Sequence, residues 1–329
     1  MSTSSAVSLG AMRIAAQEAA DLENNVAIPV ESWNQFISQS YKRLYDMLIA
    51  AYSNNYYVAN AYQFQTTNSQ AYPLPDGSPS FVDVTNGIAQ KFYKLLGIDL
   101  QYSASPSGFV TLKRFEFIER NKYAYPNTTV NWNGYSNLRY GLQGNNIFLV
   151  PIPQTGQTVQ VWYIPAPTSL QFRLPGYSVS GSQVIGSITD TTGLSIGMNI
   201  SSNFMNGIIP ANTTISAIST TTVTMSQNAL STQNATIFSA WTDTTLIEGI
   251  SGWEQFIIVD AARKAMSKQE FDASDMKQER DAMIADIQSM AEGRDAGQAF
   301  HVSDVLGANA WSYDDENGGW GMGGGGGWY

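Results

Sequence analysis

Between Gly176 and Thr242 the chain carries a single charged side chain, Asp190, in a stretch dominated by Ser, Thr, Asn, Gly and Ile. The composition changes abruptly at both ends, which marks a domain boundary at each. Inside, Leu194, Ile196, Met198 and Ile200 alternate. Ile215, Ala217 and Ser219 follow a Pro210-Ala-Asn turn, and Thr221 to Met225 is a β-branched run. Alternation over short segments separated by Gly, Asn and Pro predicts a small β-sandwich or barrel.

The flanks read differently. Residues Leu9 to Leu22 are Ala-rich at helical spacing. After Pro29, which suits a first helical turn, Trp33, Phe36, Ile37, Tyr41, Leu44, Tyr45, Leu48 and Tyr52 recur at i, i+3, i+4 spacing for about six turns. Beyond the insert, Ser251-Gly-Trp-Glu254 has the form of a capping box opening a helix with Trp253, Phe256, Ile257, Ala261 and Met266. A further helix over Asp272 to Glu292 places Met276, Met283, Ile284, Ile287 and Met290 on one side, a face that reads as core.

The middle is less regular. Tyr56 to Tyr72 is aromatic and β-favouring, and the prolines from Pro73 to Pro79 break it into a loop. Phe109 to Tyr125 fits helix and strand equally. Ile147 to Val150 and Thr158 to Ile164, flanking Pro151, Pro153 and Gly156, predict a hairpin with Val159, Val161 and Tyr163 on one face. The expected fold is therefore α+β. A helical bundle domain with a β-hairpin region (1–175) carries an inserted small all-β domain (176–242), a helical return (243–305) and an extended C-terminal tail (306–329).

Composition removes whole classes of function. There is no Cys, so disulfides, thiolate metal sites and thiol nucleophiles are excluded. The N-terminus has no basic segment followed by an apolar one, and no run of about 18 apolar residues occurs, which predicts a soluble protein made in a cytoplasm and no membrane partner. The single histidine, His301, leaves any Ser-His-Asp triad or multi-His metal site without its members. No phosphate-binding loop occurs. Asp314-Asp315-Glu316 and the set Asp272, Asp275, Glu279 could each hold a cation, but solvated acids are the favoured reading. The expectation is a protein that is not an enzyme, with no cofactor and no metal.

A net charge of -10 argues against a surface that tracks phosphates. Charged residues make up only 13% of the chain against about 25% in typical domains. Together with 17 Tyr, 14 Phe and 8 Trp, that balance suits interfaces.

Eight of the last twelve residues are Gly, interleaved with Trp320, Trp328 and Tyr329, and such a tail cannot form a core of its own. From Arg294 to Tyr329 it would reach about 115 to 125 Å extended. Trp311, Tyr313, Trp320, Trp328 and Tyr329 are therefore the candidate partner-docking residues, the glycines letting the backbone lie close to a neighbouring subunit.

Five ordered blocks, ESWNQFISQSYKRLYDMLIAAY, KFYKLLGIDL, FEFIERNKY, VQVWYIPAP and GISGWEQFIIVDAARK, resemble a family of tailed-bacteriophage structural proteins read as head-to-tail connector or adaptor subunits. The resemblance spans about residues 8–170 and 245–305. It implies a homo-oligomeric ring, usually a dodecamer, in the virion neck, assembled in the host cytoplasm. The ring would sit beneath the portal protein and meet the tail or a second neck protein, with DNA passing through without specific binding. Residues 176–242 depart from that family's core and are similar to β modules of particle-surface proteins. The alternative is a receptor-binding or fibre-like decoration protein whose Ser/Thr-rich β domain does the binding.

Overall fold

The computed structural model describes residues 7–23, 25, 27–51, 57, 59–78, 80–84, 87–103, 108–123, 138–202, 207–247, 249–250 and 252–292. Strand β1 (Val7–Ser8) leads into helix α1 (Leu9–Ala19), followed by α2 (Val30–Ala51). A helix start leaves its first amides without internal acceptors. Here Ser8 Oγ accepts from the Ala11 amide, while the amides of Leu9 and Gly10 donate to the carbonyls of Thr245 and Asp243. The start of α1 is thereby tied to a segment more than 230 residues away.

The middle of the chain is sheet. It comprises β2 (Asn60–Gln65), β3 (Ala71–Pro73), β4 (Phe92–Ser103), β5 (Gly108–Thr111), β6 (Lys113–Arg114), the single turn α3 (Arg120–Tyr123), β7 (Arg139–Gln143), β8 (Asn146–Val150) and β9 (Thr158–Pro165). Two four-stranded sheets result, in the orders β2-β9-β4-β5 and β3-β8-β7-β6. They share one core containing Ile98, Leu100, Ile147, Leu149, Val159 and Val161.

A six-stranded antiparallel sheet follows, ordered β12-β15-β10-β11-β14-β13. Its strands are β10 (Phe172–Ser178), β11 (Val184–Gly186), β12 (Asn199–Ser202), β13 (Ile215–Ile218), β14 (Val223–Met225) and β15 (Gln233–Trp241). Leu174, Ile185, Ile200, Val223, Met225 and Phe238 form its separate core. The chain enters and leaves this module on neighbouring strands, with Phe172 opposite Ala240. It then returns through β16 (Leu246–Ile247), paired to β1, into α4 (Glu254–Lys268) and α5 (Ser274–Glu292). The helices bury Leu9, Met12, Trp33, Ile37, Leu48, Phe256 and Ile287 in a third core.

This corrects the expected fold class. Among the described residues 34% are strand and 29% helix, so the molecule is mostly sheet and is not a helical bundle with a small insert. The expected hairpin does not form either. Its first arm, β8, pairs with β3 and β7, while β9 pairs with β2 and β4 in the other sheet. Both faces of β9 are buried, Val159 and Val161 in the shared core and Ile164 against Tyr45 and Ile49 of α2.

Of residues 109–125, equally helix or strand by pattern, those described divide into β5, β6, a 3-10 turn over Phe117–Glu119 and α3, and residues 124–125 lie outside the described residues. Of the alternating run from Leu194 to Ile200, only the end belongs to a strand, and Ile196 stands 70% exposed. Helix α4 starts at Glu254 with Trp253 as its N-cap, so Glu254 is not the third residue that a capping box needs, and Ser251 lies outside the described residues. On α5, Met276 and Met283 pack on the core as expected, whereas Met290 is 64% exposed.

Candidate assembly surfaces

The first surface is a basic, aromatic corner beside α3. Strand β6 runs parallel to β7, with Lys113 opposite Arg139 and Arg114 opposite Tyr140. Phe115 is buried against Gly141, where an added Cβ would come within 3.1 Å of its ring. Past it the chain turns outward. Phe117 and Ile118 stand 57% and 82% exposed, and the Arg120 guanidinium lies 4.4 Å over the Phe117 ring while donating to its carbonyl. A cavity of about 450 Å³ opens there, lined by Arg114, Phe115, Phe117, Arg120, Leu142 and Phe148 among others. Cations on an apolar floor suit a partner with carboxylates and an apolar anchor.

The second surface is the outer face of the six-stranded sheet. Pro175 faces Ile237 across β10 and β15, and Tyr177 lies over Gly186 of β11, with Val184 two residues before it on the same face. Tyr177, Val184 and Ile237 are each about 40% exposed. Arg173, two residues before Pro175 on the same outward side of β10, adds one cation beside this apolar patch.

Within the helical core sits a buried polar cluster that holds helices together. Asp260 of α4 has no solvent exposure, yet its carboxylate receives Lys264 at 2.8 Å, Arg263 at 3.1 Å, Ser40 of α2 at 2.8 Å and Arg280 of α5 at 3.7 Å. Burial alone would raise its pKa. The hydrogen bond and charge of Lys264, with Ser40 and Arg263, outweigh that and hold it below the usual carboxylate range. A cluster with every oxygen engaged is a brace, not a reaction centre.

A cleft of about 680 Å³ includes Lys42, Asp46, Asp76, Lys91, Tyr93 and Asp190 in its lining. Asp76 and Asp190 accept from the amides of Ser78 and Thr192, which lowers both carboxyls. Burial, then the hydrogen bond to Asp46, push the Tyr93 phenol up to about 12.

The candidate docking residues Trp311, Tyr313, Trp320, Trp328 and Tyr329 lie outside the described residues, as do His301 and Asp314 to Glu316. Asp272, Asp275 and Glu279 are exposed, and among the described residues no three His, Asp or Glu side chains are grouped to hold a metal ion. Asp272 accepts from the Ser274 amide in an Asx turn just before α5. No described helix is long and apolar enough to cross a membrane. The pattern reading passed over Phe117, Ile118, Arg114 and Arg120. Their signal was present in KRFEFIER, where charged and apolar residues alternate without committing to one period. No known family model and no curated protein matches the chain.

Proposed function

We propose that the chain is a structural subunit of a phage virion neck, closing with copies of itself into a ring that joins the portal to the tail and surrounds the passage for DNA. The observation that carries this reading is the set of large apolar side chains standing in water at several places on one subunit. Phe117, Ile118, Ile196, Leu230 and Met290 are each more than half exposed. Of these, Phe117 and Ile118 are adjacent and stand beside the cavity that Phe117 and Leu142 line, and clustered apolar surface of that kind marks contact sites on soluble proteins. A ring subunit needs more than one, because each copy meets two neighbours through unlike faces.

The five sequence blocks that resemble connector proteins supply the location. They map onto α2, β4, the corner at α3, β9 and the start of α4, on both sides of the inserted sheet. In this reading the chain does no chemistry. Its acidic surplus keeps the wall of the passage from holding DNA. The test is electron microscopy and mass measurement of the purified full chain with and without portal protein. Closed rings that bind the portal support the reading. A monomer that stays free at all concentrations overturns it.

A further inference from the structure

We infer that the acidic stripe of α5 on one copy seats in the basic, aromatic corner at α3 of the next, and that this contact closes the ring. The inference rests on the ring reading above and deepens it by naming the two faces.

The stripe follows from helix geometry. Asp275, Glu279 and Asp286 are four and seven residues apart, which puts them on one side of the helix. Met276, Met283 and Ile287 lie roughly a quarter-turn round the helix and pack into the core, and Arg280 reaches inward to Asp260 while also pairing with the half-exposed Asp281. The exposed stripe is therefore left without the cation nearest to it. Met290, 64% exposed, ends it on an apolar note about 22 Å from Asp275, at 1.5 Å per residue.

The corner has the opposite character. Lys113, Arg114 and Arg120 are exposed around Phe117, Ile118 and Leu142. Glu116 and Glu119 lie among them, and with Arg139 opposite Lys113 the excess remains positive. That is a local reversal in a chain of net charge -10. Interleaved glutamates and an apolar floor disfavour a phosphate backbone, which is bound by uninterrupted cations. They suit a protein face carrying carboxylates and one apolar anchor, which the α5 stripe with Met290 presents. Because the two faces differ, the contact is head-to-tail and propagates from copy to copy, giving a ring where the rotation per copy closes a full turn.

Charge reversal tests this on the full chain. Arg114→Glu with Arg120→Glu, or Asp275→Lys with Glu279→Lys and Asp286→Lys, should each weaken self-association on the order of a hundredfold by mass photometry, with thermal midpoints near wild type. Mixing the two variant proteins, or combining all five substitutions in one chain, should restore rings, since each reversed face then meets its complement. Rings unchanged in both variants overturn this inference while leaving the ring reading intact. So does loss of DNA binding with assembly kept, which would give the corner to nucleic acid. A wild-type chain that never associates overturns the ring reading itself.

Discussion

Asp260 and Lys264, one turn apart on α4, form an ion pair of 2.8 Å around a carboxylate that no solvent reaches, and the Ser40 hydroxyl of α2 lies 2.8 Å from the same oxygen. Removing the acid strands Lys264 and Arg263 against the helical core. Asp260→Ala should therefore cost about 3 to 5 kcal/mol in chemical denaturation. The pH dependence follows from the lowered carboxyl. Its contribution is present above the unfolded value of about 4 and is lost as pH falls through the lower folded value. Wild type should thus lose stability below about pH 4, and the loss should be smaller in Asp260→Ala. Equal acid sensitivity in the two proteins would contradict the assignment.

Tyr93 makes the opposite prediction at the alkaline end. Its phenol is pushed up to about 12 by burial and by the Asp46 carboxylate, so the folded state favours the protonated form. Its contribution is complete below the unfolded value of about 10 and disappears as pH rises through about 12. Difference absorbance between wild type and Tyr93→Phe should show phenolate only near the upper value, and Asp46→Asn should lower that midpoint.

Gly186 leaves room for a ring. A Cβ at this position would lie 2.5 Å from Tyr177. Gly186→Ala should cost about 1 to 3 kcal/mol, and Tyr177→Ala in the same chain should recover much of it. Strict additivity in calorimetry would show that the two do not collide.

Phe238 is fully buried in the core of the six-stranded sheet, which shares no residue with the helical core. Phe238→Ala should cost about 3 to 5 kcal/mol. The loss of hydrogen-exchange protection should be largest within residues 172–241, with α2 and α4 much less affected. Uniform loss over the whole chain would mean the cores open together.

The helices were legible because each buries one stripe. Trp33, Ile37, Tyr41, Leu44 and Leu48 repeat at helical spacing and all are buried. The low-charge segment was legible as β structure in part: the runs at Ile215 and Val223 are β13 and β14, whereas most of the alternating run from Leu194 lies outside any strand. Strand β4, twelve residues long, was not. Its register shifts between Phe92 and Lys94 and again between Leu95 and Gly97, so the alternation that would betray it is broken twice. The corner at α3 escaped notice because its turn and single helical turn are too short to show any period. Asp260 was hidden by its neighbours: an acid inside FIIVDAARK looks like part of a polar face until α2 and α5 close over it.

Strands β10 and β15 stand side by side where the six-stranded sheet joins the rest of the subunit, with Phe172 directly across from Ala240, so the two crossing points are about 5 Å apart. Just outside them, Leu170 and Trp241 belong to the helical core. A short turn could rejoin the chain there without moving either residue. The chain is thus a socket with a removable fitting. The module can be shortened or exchanged at these two points while the packing of the helical core stays fixed.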